Sequence, residues 1–169
     1  MKLLALSGKK QSGKDTVCSL LRYLTQRPVI RLAFASALKE EAAAVLGISV
    51  TEIDENKERF RPFLQWWGTE WRRTQDVRYW VRKVEVKIEA LKGDDVLVVV
   101  TDARFPDEAD CIRHLGGRVV NVVRPNACSR DSHASEISMN YYQFDGVILN
   151  NGTLEDLKNS ARVAAAGLL

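Results

Sequence analysis

Cysteine is scarce in this chain of 169 residues, which holds three, and their arrangement excludes two common ways of organising a small protein. Cys18, Cys111 and Cys128 are odd in number, far apart and free of any C-x-x-C spacing, so neither a disulfide framework nor a cysteine zinc site is suggested. Buried or incidental thiols are the expected reading. No segment approaches the ~18 to 20 consecutive apolar residues of a membrane span. Before Ser7-Gly8 there are one lysine and about five apolar residues, too few for a signal-peptide core, so a cytoplasmic protein with no membrane partner is expected. Charge of one sign is missing too: 25 basic against 22 acidic side chains leave a formal charge of +3, too balanced for a dedicated nucleic-acid surface. Repeats, low-complexity tracts and linker composition are also absent. With 46% hydrophobic residues the length suits one sizeable core, and a single domain over residues 1–169 is expected.

What is present begins at Gly8-Lys9-Lys10-Gln11-Ser12-Gly13-Lys14-Asp15-Thr16, between the apolar run Leu3 to Leu6 and a helical pattern. The glycines allow a tight turn with N–H groups aimed inward, while Lys14 and the following helix N-terminus add positive charge, so the segment fits a polyphosphate. Its spacing satisfies G-x-x-x-x-G-K. Asp15, however, stands where the usual motif has a metal-binding Ser or Thr, with Thr16 one residue later. That departure favours particular kinases over switch or motor NTPases.

Leu3 to Leu6 reads as a short buried strand, and Val17, Leu20, Leu21 and Leu24 then recur at helical spacing until Gln26-Arg27-Pro28. Val29 to Leu32 reads as a second strand, and Ala35 to Leu46 as a helix ended by Gly47. Thr51 to Arg61 is charged and weakly patterned, expected to be a mobile surface segment with helical turns that Pro62 closes. Between Asp76 and Leu91 helical spacing returns through Trp80, Val81, Val84 and Ile88. Val96 to Val100 has the continuous branched character of a parallel strand buried on both faces. Thr101-Asp102 sits at its carboxyl end, where parallel sheets bind ligands. A helix is predicted from Pro106 to about Leu115, and strands at Val119 to Val123 and at Val147 to Leu149. Asn126 to Glu136 lacks a core pattern, and a last helix is capped by Thr153 with Asp156 three residues on. This alternation predicts a three-layer α/β/α domain around a mostly parallel, about five-stranded sheet.

Phosphoryl transfer needs a cradle for the donor phosphates, a metal site, positive charge on the moving group and an acceptor pocket. Lys14 can bridge the β- and γ-phosphates, and Thr16 can donate to a phosphate or help hold Mg²⁺, directly or through water. Asp15 can orient the acceptor or bind the metal through water; alternatively it only complements the helix dipole. Asp102 resembles the acid that positions Mg²⁺ at a strand end, or is a turn or cap residue. Arg104, at the same edge, can grip a phosphate bidentately or sit in a surface salt bridge. The stretch Leu64 to Arg73 holds three of the four tryptophans beside two arginines. It suits a stacked base and a monophosphate, and suits packing into the core as well; stacking on single-stranded nucleic acid is a third reading, weakened by the low net charge. His133 has no second ligand at metal spacing, and phosphoryl transfer asks little of a base. A lid that aims Arg124 and Arg130 at phosphates is the more economical reading of its surroundings.

Five stretches, taken together and in order, resemble the bacteriophage deoxynucleoside monophosphate kinases. They are residues 8–16, Phe34-Ala35-Ser36-Ala37-Leu38-Lys39, Leu64-Gln65-Trp66-Trp67-Gly68-Thr69-Glu70-Trp71, Thr101-Asp102-Ala103-Arg104-Phe105-Pro106-Asp107-Glu108 and His133-Ala134-Ser135-Glu136. The resemblance implies a P-loop kinase fold and transfer of the ATP γ-phosphate to a deoxynucleoside 5′-monophosphate, with Mg²⁺, giving ADP and a deoxynucleoside diphosphate. Carried onto this sequence, it implies that Gly8, Lys10, Ser12, Gly13, Lys14, Asp15, Thr16 and Arg124 bind ATP phosphates. It places Lys39, Trp67, Gly68, Thr69, Glu70 and Arg73 at the acceptor, together with Asp102, Arg104, Glu108 and Glu136. Lys14, Asp15, Arg104 and Arg130 would serve the chemistry, and Thr16 and Asp102 the metal, through water in the case of the acid. An acceptor-binding insertion over about 47–80, a lid over about 125–140 and a homodimer are further implications, with the host cytoplasm as the location of a phage-encoded enzyme. Arg72 stands where the family pattern often has Gly, and Asp107 where it often has Asn; both departures bear on acceptor contacts. Two alternatives stay open: a related small-molecule kinase resembling phosphomevalonate kinase, and a non-catalytic nucleotide-binding or nucleic-acid-binding module.

Overall fold

The computed structural model describes residues 1–125, 127 and 133–169. Strands β1 (Lys2–Ser7), β2 (Val29–Leu32), β3 (Leu97–Val100), β4 (Arg118–Val123) and β5 (Gly146–Leu149) form one sheet in the order β2-β3-β1-β4-β5. Every pairing is parallel. The expected sheet is therefore realised, and is parallel throughout.

Side-chain alternation divides the core between two faces. Leu4, Leu6, Leu97, Val99, Val120, Val122 and Ile148 pack on one side against Val17, Leu21, Leu157 and Ala161 of helices α1 (Lys14–Leu24) and α8 (Leu154–Ala164). Leu3, Ala5, Val98, Val100 and Val119 face the other way, onto α5 (Tyr79–Glu89) and α6 (Pro106–His114). Burial on both faces is why the central strands read as unbroken apolar runs rather than as alternating ones. Thr153 caps α8 as its sequence suggests: its hydroxyl accepts from Asp156 N–H, and its own N–H donates to the Asp156 carboxylate at 2.8 Å.

Helix α2 (Phe34–Leu46) ends at Gly47, whose φ of 67° is the left-handed conformation glycine allows. The region expected to be a mobile surface segment with helical turns closed by Pro62 has its helical turns, but Pro62 does not close it. It forms α3 (Val50–Glu55) and α4 (Lys57–Gln65), and α4 runs through Pro62. Proline withholds the N–H that would reach the Glu58 carbonyl. Tertiary packing overrides that loss, because Phe60, Phe63 and Leu64 pack around Ala42, Ala43 and Ile53 in a third, smaller cluster. The chain continues into a π-helix, Trp66–Arg73, where Gly68 is buried so tightly that a Cβ would meet Leu38 Cδ2 at 2.9 Å. π-Helical turns concentrate at functional sites. A short helix, α7 (Ala134–Ile137), precedes β5. No helix among the described residues is long and apolar enough to cross a membrane.

Candidate active site

The loop from β1 to α1 has the backbone that its glycines permit. Gly8 takes φ 135° and Gly13 φ 104°, values an L side chain rarely adopts. Space is also closed there: a Cβ on Gly8 would meet the Val122 carbonyl oxygen at 2.4 Å, and one on Gly13 would meet Asn150 Nδ2 at 2.5 Å. Asn150, just beyond β5, donates to the Ser12 carbonyl at 2.8 Å and so braces the loop from the neighbouring strand end. Sequence reasoning missed this residue; a polar side chain at the carboxyl end of a parallel strand was the available signal.

Lys14 points back into the loop, donating to the carbonyls of Gly8 at 2.6 Å and Lys9 at 2.8 Å. Burial lowers its pKa to about 8, and Arg104 adds repulsion, while Glu136, Asp102 and Asp15 pull it back up. Ser12 is buried beside it, and Thr16 is exposed in the first turn of α1. Asp15 is exposed as well, with its carboxylate accepting from Arg31 at 2.5 Å.

At the end of β3 the chain is pinned repeatedly. Ala103 N–H donates to the Leu6 carbonyl at 3.2 Å, and the two Asp102 oxygens accept from Phe34 N–H and Ala35 N–H, each at 2.8 Å. Asp102 thus caps α2, the second of its two open readings, and each oxygen keeps a lone pair. Burial pushes this carboxyl upward in pKa against the opposing pull of those backbone donors, Arg104 and Lys14. Next along, the Arg104 guanidinium pairs with Glu136, whose other oxygen accepts from Lys10 N–H at 3.4 Å. Arg104 and Glu136, with Gly8, Lys9, Ser12, Arg124 and Asn140, line a cleft of about 310 Å³. The Lys10 ammonium reaches Glu58 of α4 at 2.6 Å. Arg130 lies outside the described residues.

Glu108 is buried behind Arg104. One oxygen accepts from Arg104 N–H at 2.8 Å and Phe105 N–H at 3.2 Å, the other from Arg73 at 2.6 Å. Burial pushes its carboxyl up to about 7, with Arg73 pulling the other way. Arg73 also contacts Asp107 at 2.9 Å and lies 3.8 Å from the centre of the Phe105 ring. The departure at Asp107 thus faces Arg73.

The tryptophan segment is tied mainly to the scaffold. Trp67 stacks with Phe63 and Trp71 and lies under Arg72, while its Nε1 donates to Glu41 at 3.0 Å. Gly68 offers its carbonyl to Trp80 Nε1 at 2.9 Å, Glu70 pairs with His133 at 2.9 Å, and Lys39 pairs with Asp54 at 2.5 Å. Thr69 is half-buried within the same turn. Core packing, the other reading open for this stretch, accounts for Trp67 and Gly68, whereas Trp66 and Trp71 stay 47% and 43% exposed.

Glu41 is the hub that sequence reasoning missed. Besides Trp67 it accepts from Arg72 at 2.6 Å, Tyr79 at 2.5 Å and Lys83 at 2.9 Å, joining α2, the π-helix and α5. Burial works to raise its pKa, but these donors together hold it down at about 2. Glu41→Ala leaves charged donors without their acceptor. A loss of about 2–3 kcal/mol is expected, since hydrogen bonds to charged groups are worth about 1.5–3 kcal/mol and shared ones do not add. Scanning calorimetry should then show a Tm lower by about 4–12 °C; an unchanged Tm would remove Glu41 from this role.

Residues 35–161 match the family model for deoxynucleotide monophosphate kinase. A putative deoxynucleotide monophosphate kinase of Acanthamoeba polyphaga mimivirus is 32% identical over 184 aligned positions, covering 92% of each chain. The deoxynucleotide monophosphate kinase of Enterobacteria phage T4 is 33% identical over 93 positions, which cover 52% of this chain and 39% of the phage protein. Dephospho-CoA kinase from Campylobacter jejuni shares the fold, with a TM-score of 0.55 at 14% identity over 99% of this chain and 98% of that one.

Proposed function

The chain belongs to the deoxynucleotide monophosphate kinase family, and we propose that the cleft beside Lys14 and Arg104 carries the reaction: ATP gives its γ-phosphoryl group to a deoxynucleoside 5′-monophosphate, leaving ADP and a deoxynucleoside diphosphate. The observation that carries this reading is the convergence of a glycine-rich anion loop and Arg104 on one cleft at the carboxyl ends of parallel strands, with the Lys14 ammonium held directly behind Gly8 and Lys9 of its wall. Loop N–H groups and Lys14 hold the donor phosphates, with Arg124 at the cleft wall. Arg104 grips the acceptor phosphate and keeps its oxygen in line with the moving group. Aromatic faces of Trp66 and Trp71 offer the exposed stacking surface nearest in sequence to the acceptor residues.

Mg²⁺ suits the donors available. Thr16 offers a hydroxyl, and each Asp102 oxygen, already holding one backbone N–H, retains a lone pair for a bridging water. Among the described residues no three His, Cys, Asp or Glu side chains gather into a cage. Mg²⁺ is ordinarily held by one or two protein oxygens, waters and substrate phosphates, which this set supplies. When bound, the ion neutralises charge on the β- and γ-phosphates.

The enzyme works in the cytoplasm in deoxynucleotide supply, as a homodimer whose mass light scattering would report. The deciding experiment incubates the purified protein with ATP, Mg²⁺ and each deoxynucleoside monophosphate in turn, scoring ADP and deoxynucleoside diphosphate. Absence of turnover on every acceptor overturns the reading.

A further inference from the structure

We infer that Glu108 is a positioning residue, a buried carboxylate that sets the height of Arg104 in the cleft and docks the acceptor-side π-helix onto the same point. This rests on the reading that Arg104 grips the acceptor phosphate.

Arg104 is the one charged side chain that the turn after β3 carries into the cleft, where its guanidinium pairs with Glu136. Its neighbours are fixed independently: Thr101 N–H bonds to Leu32 of β2, Asp102 caps α2, and Ala103 N–H bonds to Leu6 of β1. The Arg104 N–H instead goes to Glu108 at 2.8 Å. An acid at the third position of a helix ordinarily reaches back only to the capping residue's N–H, here Phe105. Glu108 extends one residue further and also takes a buried guanidinium, Arg73, at 2.6 Å.

Capping alone does not call for that arrangement. Glu108 is 3% exposed, and the Arg73 side chain 7%. A buried ion pair contributes little net stability compared with apolar packing, whereas the geometry that this one imposes is specific. Arg73 is held in turn by Asp107 and the Val77 carbonyl, and its guanidinium lies over the Phe105 ring. The two ends of one carboxylate therefore register two elements against each other: the turn bearing Arg104, and the π-helix bearing the exposed tryptophans.

Glu108→Gln tests this in the intact protein. The amide keeps one acceptor oxygen for the backbone N–H groups but presents N–H to Arg73. Acceptor KM is expected to rise at least about tenfold, the loss of one hydrogen bond to a charged group, while ATP KM stays within twofold. A purely structural role would lower Tm and leave both KM values unmoved. Should the glutamine variant fail to fold, Arg73→Lys keeps the charge but loses the forked contacts, and the same acceptor-selective rise is expected. Unchanged acceptor KM in a folded variant, or an equal rise for ATP, overturns the inference. Lack of turnover by the unmodified protein on every acceptor would instead overturn the reading beneath it.

Discussion

Lys14→Ala should lower kcat by about 10² to 10³ while the protein stays folded. Removing one preorganised donor aimed at developing charge costs about 2.7–4 kcal/mol of transition-state stabilisation. In the proposed reaction Lys14 is that donor: its ammonium is held inside the loop, against the Gly8 and Lys9 carbonyls, and it contributes to no apolar cluster. Circular dichroism and Tm should therefore be nearly unchanged. A folded variant with turnover within about tenfold of normal would contradict the role, being far less than loss of such a donor costs. The same side chain sets a pH signature. Its pKa in the free protein is lowered to about 8 by burial, so the ammonium is charged below that pH and neutral above it. Bound phosphates add negative charge and raise it again. Since kcat/KM reports the free enzyme and kcat the complex, kcat/KM for ATP should fall as pH rises through about 8, with kcat flat over the same range.

Much of this site was legible in the sequence because its signals are local. The phosphate loop is a run of adjacent residues whose glycines carry their own conformational demand, and Asp102 and Arg104 follow directly on a strand whose apolar continuity marks it as central. What was not legible depends on pairs far apart in the chain. Trp67 meets Glu41 across 26 positions and Arg73 meets Glu108 across 35, and no periodicity encodes either. The tryptophan-rich segment left stacking and packing equally open for that reason. Its composition is the same whether an indole faces a base or a glutamate, and Trp67 is committed to the glutamate. Pro62 misled for a related reason: its backbone preference is local, while the apolar contacts that keep α4 helical come from α2 and α3.

Arg104→Ala is the second change expected to act strongly, and the neighbouring Glu136 decides how it must be tested. Loss of the guanidinium should reduce kcat/KM for the deoxynucleoside monophosphate by about 10² to 10³, as for other fixed charges on a transferring phosphoryl group. The single variant also strips Glu136 of its cationic partner. That carboxylate is enclosed, with a side chain only 2% exposed, and lies close enough to Lys14 to raise its pKa. Left uncompensated, it repels the donor phosphates, so ATP binding weakens in the single variant for a reason unrelated to the acceptor. Arg104→Ala combined with Glu136→Gln separates the two effects. In a double-mutant cycle the pair should couple strongly in ATP affinity, with the double variant recovering near-normal ATP binding. Acceptor kcat/KM should stay depressed, because the amide at 136 restores no positive charge. If the double variant recovered acceptor use along with ATP binding, Arg104 would act only as the counter-charge of Glu136, and the acceptor phosphate would have to be held by another cation of the cleft.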